Sequence, residues 1–240
     1  MVLQGGSGND NWAHVWSDYN GTTATNQRIE AKSVQLYGGG VTTDSQATFS
    51  NNDARLSSNG SQQLIADSLL LKAAGGPVGM AAAGDQTFTI TGSLSLIGGS
   101  YAGTANLSSN ANINSTGNQT INAGSIDMQA GSTGSRNGAF IQDGSTDPSG
   151  KLQKITASTI TLKGGNGGSN NNVLLYAYGD HIQQQINTNE LLVSGGASGQ
   201  SNRARVQAIG NVGSDADQVI NAGRITLTGA GRLLNIVMMA

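Results

Sequence analysis

A short phrase that begins with Gln recurs seven times and constrains the fold of this chain more than any other feature. It reads Gln-x-Ile-x-Ala-x-x-Ile-x-Leu, as in Gln-Val-Ile-Asn-Ala-Gly-Arg-Ile-Thr-Leu over residues 218–227. The leading residues are mostly 31 to 35 positions apart, with one shorter interval between Gln62 and Gln86. A fixed period of roughly 20 to 50 residues is the signature of a solenoid or a similar repeat array.

Each repeat contains three short segments in which apolar residues alternate with polar ones, which indicates strands. The first segment is represented by Ala111 and Ile113, the second by the Gln-x-Ile-x-Ala phrase, and the third by Ile126 and Met128. Loops rich in Gly, Ser and Asn separate the repeats, and helical spacing is not sustained. We therefore predict an all-β chain that forms a right-handed parallel β-helix of about seven three-strand coils. Residues 1–240 are expected to form one domain.

The apolar positions of successive repeats should line up inside the coil. We expect Ile121, Ile155, Ile186 and Ile220 to form a single interior file, each stabilised by its neighbours in the turns above and below. The leading glutamines should stack in the same way, since side-chain amides can hydrogen-bond from one rung to the next. We interpret this ladder as structural rather than as a ligand site, and its members are Gln27, Gln62, Gln86, Gln119, Gln153, Gln184 and Gln218.

Composition excludes several classes of function. The net charge is −2, which gives no electrostatic case for binding nucleic acid. The chain has no cysteine, so it can form neither disulfides nor thiolate metal sites. No apolar run is long enough to span a bilayer as a helix. The opening residues 2–6 resemble the end of a repeat unit. We therefore expect this sequence to be part of a longer array, and any export signal to lie outside residues 1–240.

Two of the repeat phrases carry a resemblance to a known family. Residues 119–128 read Gln-Thr-Ile-Asn-Ala-Gly-Ser-Ile-Asp-Met, and residues 218–229 read Gln-Val-Ile-Asn-Ala-Gly-Arg-Ile-Thr-Leu-Thr-Gly. Both resemble the repeat region of filamentous haemagglutinin-like exoproteins, which are large bacterial surface adhesins exported by two-partner secretion. The resemblance implies an outer-membrane secretion partner and a secreted or cell-surface location. The family's secretion domain, with its Asn-Pro-Asn motif, is absent from this sequence.

Residues 5–10, Gly-Gly-Ser-Gly-Asn-Asp, match the start of a calcium-binding nonapeptide, with Asp10 as the ligand. Such sites need tandem copies because successive turns share each ion, and the corresponding segment 164–170 lacks the aspartate. A turn that uses Gly for positive φ and Asn or Asp for local hydrogen bonds explains the motif equally well. Asp10 is therefore a weak metal candidate, and no cofactor is expected.

An enzymatic alternative is a carbohydrate-active β-helix of the polysaccharide lyase or glycosidase type, which needs carboxylates gathered in one groove. The candidate acids occur in predicted turns, where Asp is also favoured for conformational reasons, and two arginines are expected near them. Tyr176 and Tyr178 offer a small aromatic platform, whereas His14 and His181 are too far apart to suggest a metal pair. The acidic and basic candidates are Asp143, Asp180, Asp215, Asp217, Arg203 and Arg205.

The leading functional hypothesis is an extracellular structural or adhesive rod, part of a bacterial surface fibre, rather than an enzyme. Its ligands would be a host or neighbouring cell surface, or glycans. Because the ends of a β-helix expose strand edges, end-to-end association of copies into filaments is also expected.

Overall fold

The computed structural model describes residues 1–7, 11–18, 23–40, 52–100, 109–145 and 150–229. These residues contain no helix and form a β-solenoid of about six turns, slightly fewer than the seven expected. All strand pairs are parallel and each strand pairs with its equivalent in the next turn. The predicted fold class is therefore confirmed.

Each turn contributes one long and one short strand, and these stack into two sheets. The eight strands of the long sheet are β1 (Val2–Gln4), β3 (Gln27–Tyr37), β5 (Gln62–Lys72), β7 (Gln86–Ile97), β9 (Gln119–Gln129), β11 (Lys151–Lys163), β13 (Ile182–Ser194) and β15 (Ala216–Thr228). The seven strands of the short sheet are β2 (Ala13–Ser17), β4 (Ala54–Ser58), β6 (Val78–Ala82), β8 (Ala111–Ser115), β10 (Ala139–Ser145), β12 (Val173–Gly179) and β14 (Ala204–Gly210). At about 4.8 Å between strands, the long sheet extends about 34 Å along the axis.

The long strands combine the second and third segments that the sequence separates. In β11, Gln153, Ile155 and Ala157 are buried, and the buried positions then continue at Ile160 and Leu162. This change from odd to even positions, together with the gap in pairing between Ala157 and Thr159, marks a corner within the strand. The coil therefore keeps three apolar segments although it has two strands per turn.

The interior is filled by aliphatic side chains in files that run along the axis. Pairing aligns Ile121 with Ile155, Ile155 with Ile186, and Ile186 with Ile220, as predicted. The first three are completely buried. Full burial of such a side chain contributes about 1.5 to 3 kcal/mol, so the files account for a large part of the stabilisation. Within the described ranges, no helix is long and apolar enough to cross a membrane.

Candidate functional site: internal ladders and an aromatic surface cluster

The seven leading glutamines lie in one column at the start of the long strands. Each side-chain Nε2 donates to the Oε1 of the glutamine in the preceding turn, in six consecutive hydrogen bonds of 2.6 to 2.9 Å. We call this column the glutamine ladder. From Gln62 to Gln184 its members are almost completely buried.

The ladder also joins the two sheets. Gln119 Nε2 donates to the main-chain oxygen of Gln142 at 3.2 Å, and Gln153 Nε2 donates to that of Tyr176 at 3.0 Å. Both acceptors belong to the short sheet. An amide nitrogen has two hydrogens, so one bond runs along the axis and the other runs across the interior. Buried polar groups that are paired in this way add directional specificity to an otherwise aliphatic core.

A second polar column, which the sequence analysis missed, lies where the loops enter the short strands. Asn171 Oδ1 accepts from the main-chain nitrogen of Asn137 at 2.8 Å, and Asn202 Oδ1 accepts from that of Asn171 at 2.9 Å. Asn171 Nδ2 also donates to Gly167 O, which closes its own loop. Asn52 repeats the arrangement with the main-chain nitrogen of Asn11 at 3.0 Å. The signal was available, because each of these Asn residues precedes the first apolar residue of a short strand by two positions.

The weak metal candidate Asp10 lies outside the described residues. Within the described ranges, no group of three or more His, Asp or Glu side chains is arranged to hold a metal ion.

Asp143 does not lie in a turn, as the sequence suggested, but within strand β10. Its side chain is completely buried, Ser115 Oγ donates to its Oδ1 at 3.1 Å, and its Oδ2 has no hydrogen-bond partner. Burial raises the pKa of Asp143 from 3.8 to about 7, against the opposing effects of Ser115 and Lys151. The turn assignment was wrong because Asp-Gly is common in turns, whereas here the pair continues a strand that aligns with Ala177 and Tyr178.

The remaining candidate acids are half-buried or exposed, unlike Asp143. Asp215 pairs with His181, and this hydrogen bond lowers the pKa of Asp215. Asp180 accepts from Asn211 Nδ2 at 2.9 Å. Asp217 is exposed and lies within strand β15, not in the predicted turn. Asp180 comes after the end of β12, and Asp215 comes after the end of β14.

Arg203 and Arg205 lie at the opposite end of the short strands from these acids. The two arginines line a cleft of about 410 Å³ whose described lining includes no carboxylate. Strand β14 has 7 residues, so it separates its two ends by roughly 20 Å. Tyr176 and Tyr178 stack at 5.1 Å on the outer face of β12. The structure therefore does not gather the candidate acids and bases into one groove.

Both tryptophans of the chain and His14 lie together on the outer face of the first short strand. The ring centroids of Trp12 and His14 are 4.6 Å apart, those of His14 and Trp16 are 4.3 Å apart, and those of the two tryptophans are 5.6 Å apart. We call these three residues the aromatic cluster. Residues 12, 14 and 16 share a face because side chains alternate along a strand. The two tryptophans, at an interval of two residues on either side of His14, were the sequence signal for this cluster.

The adjacent short strand supplies charged partners to the cluster. His14 Nε2 lies 2.9 Å from Asp53 Oδ1, and Arg55 Nε pairs with Asp53 Oδ2. The His14 and Asp53 side chains are only 9% and 7% exposed, whereas that of Arg55 is 50% exposed. The outer surface at this end of the short sheet is thus both polar and aromatic.

Comparison of the chain with protein-family models, with curated proteins and with solved structures finds no match.

Proposed function

We propose that this chain is a segment of the rigid shaft of an extracellular structural or adhesive fibre on a bacterial surface. The observation that carries the proposal is the unbroken glutamine ladder, in which six side-chain hydrogen bonds follow the axis from Gln27 to Gln218. A ladder of this kind fixes the spacing of turns along the whole described length, which is what a spacer or shaft requires.

The other contacts of the coil support the same function. The main-chain hydrogen bonds of both parallel sheets run between turns and thus along the axis. The asparagine bonds from Asn137 to Asn171 and from Asn171 to Asn202 have the same direction. Each turn therefore contacts mainly its two neighbours, so length can increase by adding turns without changing the fold.

The bacterial surface setting, the adhesive role and the secretion partner are the finer part of the proposal. They follow from the resemblance of residues 119–128 and 218–229 to filamentous haemagglutinin-like repeats. End-to-end association belongs to the same proposal, since β15 pairs on one side only, with β13, among the described residues. A strand edge with free main-chain groups is the place where a further coil adds.

The proposal is tested with beads coated with the purified chain and by negative-stain electron microscopy of the same material. We expect rods about 34 Å long, or filaments built from them at higher concentration. We also expect the beads to attach to epithelial cells or to one another. The absence of filaments as the concentration rises would contradict end-to-end association into a shaft, and beads that attach to neither surface would contradict the adhesive role.

A further inference from the structure

We propose that the aromatic cluster and the cleft beside it form a binding site for an uncharged saccharide chain. This inference deepens the adhesive function proposed above and rests on it, because it gives the rod a ligand class and a place to bind it. Three features in and beside β2 and β4 support it. They are a stacked aromatic surface, a small polar cleft, and an arginine charge that is compensated by Asp53 close to a His14 nitrogen without a hydrogen-bond partner.

The aromatic surface comes from the two indole rings and the imidazole between them. The planes of Trp12 and Trp16 are 23° apart and those of Trp12 and His14 are 27° apart, whereas those of His14 and Trp16 are 48° apart, so Trp12 stacks on both of the other rings. Trp12 is 54% exposed although indole is the largest side chain. An exposed indole has an apolar face and a polar edge, and it pairs best with a ligand that is amphipathic in the same way. A pyranose ring, with C–H groups on its faces and hydroxyls around its rim, is such a ligand.

A cleft of about 240 Å³ lies next to this surface, between Trp16 and Arg55. Asp18, Ser57 and Asn59 line it as well, so its walls carry hydroxyl, amide, carboxylate and guanidinium groups. Its volume is below the range of about 300 to 1,000 Å³ that is usual for drug-sized ligands. The cleft is therefore of a size for one ring of a longer chain, whose neighbouring rings would lie on the aromatic surface.

The charges of the site, which include the Asp18 carboxylate, disfavour an anionic ligand. The Asp53 carboxylate interacts with both Arg55 and His14, so the guanidinium charge is already compensated within the protein. An anionic glycan or a nucleic acid would need cationic groups that are not paired in this way. Stacking alone, which contributes roughly 1 to 3 kcal/mol per ring in single-stranded nucleic acid complexes, does not depend on ligand charge.

The imidazole provides a specific acceptor. A carboxylate only accepts hydrogen bonds, so His14 Nε2 carries the proton that is shared with Asp53, and Nδ1 of the neutral ring is an acceptor. This Nδ1 atom is enclosed and has no hydrogen-bond partner. An unsatisfied buried acceptor costs about 1 to 3 kcal/mol, which a hydroxyl donor would recover. A saccharide hydroxyl is such a donor, and because Nδ1 is enclosed it reaches this atom only when the surrounding rings move apart.

Tryptophan fluorescence tests the site without a label, because both tryptophans of the chain belong to it. The full chain is titrated with uncharged glucose, mannose and galactose hexasaccharides, and separately with a heparin hexasaccharide and an oligothymidylate. We expect a saturable change in emission with at least one uncharged hexasaccharide, and weaker or no binding of the two anionic ligands. Trp12→Ala should weaken binding at least tenfold, which corresponds to about 1.4 kcal/mol.

Tyr178→Ala is the matched control, since Tyr178 is also an exposed, stacked aromatic residue on the outer face of the short sheet. It should leave saccharide affinity unchanged. Ser57→Tyr is a second variant, which fills the cleft from the position that pairs with Trp16, and it should weaken binding as Trp12→Ala does.

The inference is overturned if no uncharged hexasaccharide changes the emission up to about 10 mM. It is also overturned if binding survives both Trp12→Ala and Ser57→Tyr, or if the anionic ligands bind as tightly as the uncharged ones. Filaments and attaching beads without saccharide binding would contradict this site but not the proposed shaft. Saccharide binding by particles that form no filaments would support this site and contradict the shaft.

Discussion

At the scale of single residues, Asp143 is the least expected group, because it buries a carboxyl where other turns have small side chains. Its equivalents in the paired strands are Ser115 and Ala177. Burial raises its pKa to about 7, and the nearby Asp85 acts in the same direction. The carboxyl group is therefore largely protonated in the folded chain below neutral pH.

Asp143 should make stability depend on pH in a defined direction. Its pKa is raised from 3.8 to about 7 on folding, so the unfolded chain ionises first. Below about pH 4 this carboxyl is protonated in both states and does not lower the free energy of unfolding. As the pH rises from about 4 to about 7, its ionisation in the unfolded chain lowers the free energy of unfolding by about 4 kcal/mol in total, at 1.36 kcal/mol per pKa unit. Asp143→Asn removes the titration but keeps the shape and the acceptor for Ser115.

We expect Asp143→Asn to be more stable than the parent chain by a few kcal/mol at about pH 8 and similar to it at about pH 3.5. Urea unfolding at several pH values measures the difference, and subtracting the two curves cancels the other carboxyl groups. Parallel curves across this range would contradict the assignment.

Residue positions that depend on alternation could be predicted from the sequence. The Ile121 file and the column of leading glutamines follow from a two-residue period within strands and a constant offset within each repeat. Asp143 and the pair of His14 with Asp53 could not be placed in this way. The first contradicts a common turn signal, and the second joins residues 39 positions apart, outside any repeated phrase.

At the scale of elements, the corner within each long strand separates two segments that the sequence treats as independent strands. The side of the strand that faces inward changes between Ala157 and Ile160 without a glycine at that point in β11. Apolar periodicity reports which side chains face inward, but it does not report whether main-chain pairing continues through a bend. The number of strands per turn was therefore less predictable than the number of apolar segments.

The loops also stack as elements. Short parallel bridges connect Ser135 with Ser169 and Ser169 with Gln200. Gly168 has a φ of +64°, and a Cβ there would come within 1.6 Å of Gly134 O in the preceding turn. Gly213 has a similar φ of +89° but no heavy atom within 4 Å of such a Cβ. Substitution of Gly213 therefore measures the cost of the backbone conformation alone, and substitution of Gly168 measures that cost together with the cost of disturbing the stacked loops.

Gly213→Ala should cost about 1 kcal/mol, since only the left-handed conformation opposes it. Gly168→Ala should cost at least about 2 kcal/mol more, because the loop must also move away from Gly134. Thermal unfolding of both variants measures the difference. Equal costs would show that the loops do not depend on close contact between turns.

At the scale of the whole molecule, each turn is stabilised by the turns on either side of it, and the glutamine ladder is the clearest expression of this. A central member takes part in bonds with both neighbours, whereas a member at the end has a neighbour on one side. Gln119 donates to Gln86 and to the main chain of Gln142, and it accepts from Gln153. Gln218, at the end of the described ladder, donates to Gln184 and is exposed.

The most direct measurement is the free energy of unfolding of Gln119→Leu and Gln218→Leu by urea denaturation, because the substitution is identical and only its place along the axis differs. Gln119→Leu removes three hydrogen bonds and leaves the buried Gln86 Oε1 without its donor, so it should cost roughly 2 to 4 kcal/mol, whereas Gln218→Leu should cost about 1 kcal/mol. Equal losses for the two variants, or a negligible loss for Gln119→Leu, would contradict a rod that is held together by contacts between successive turns.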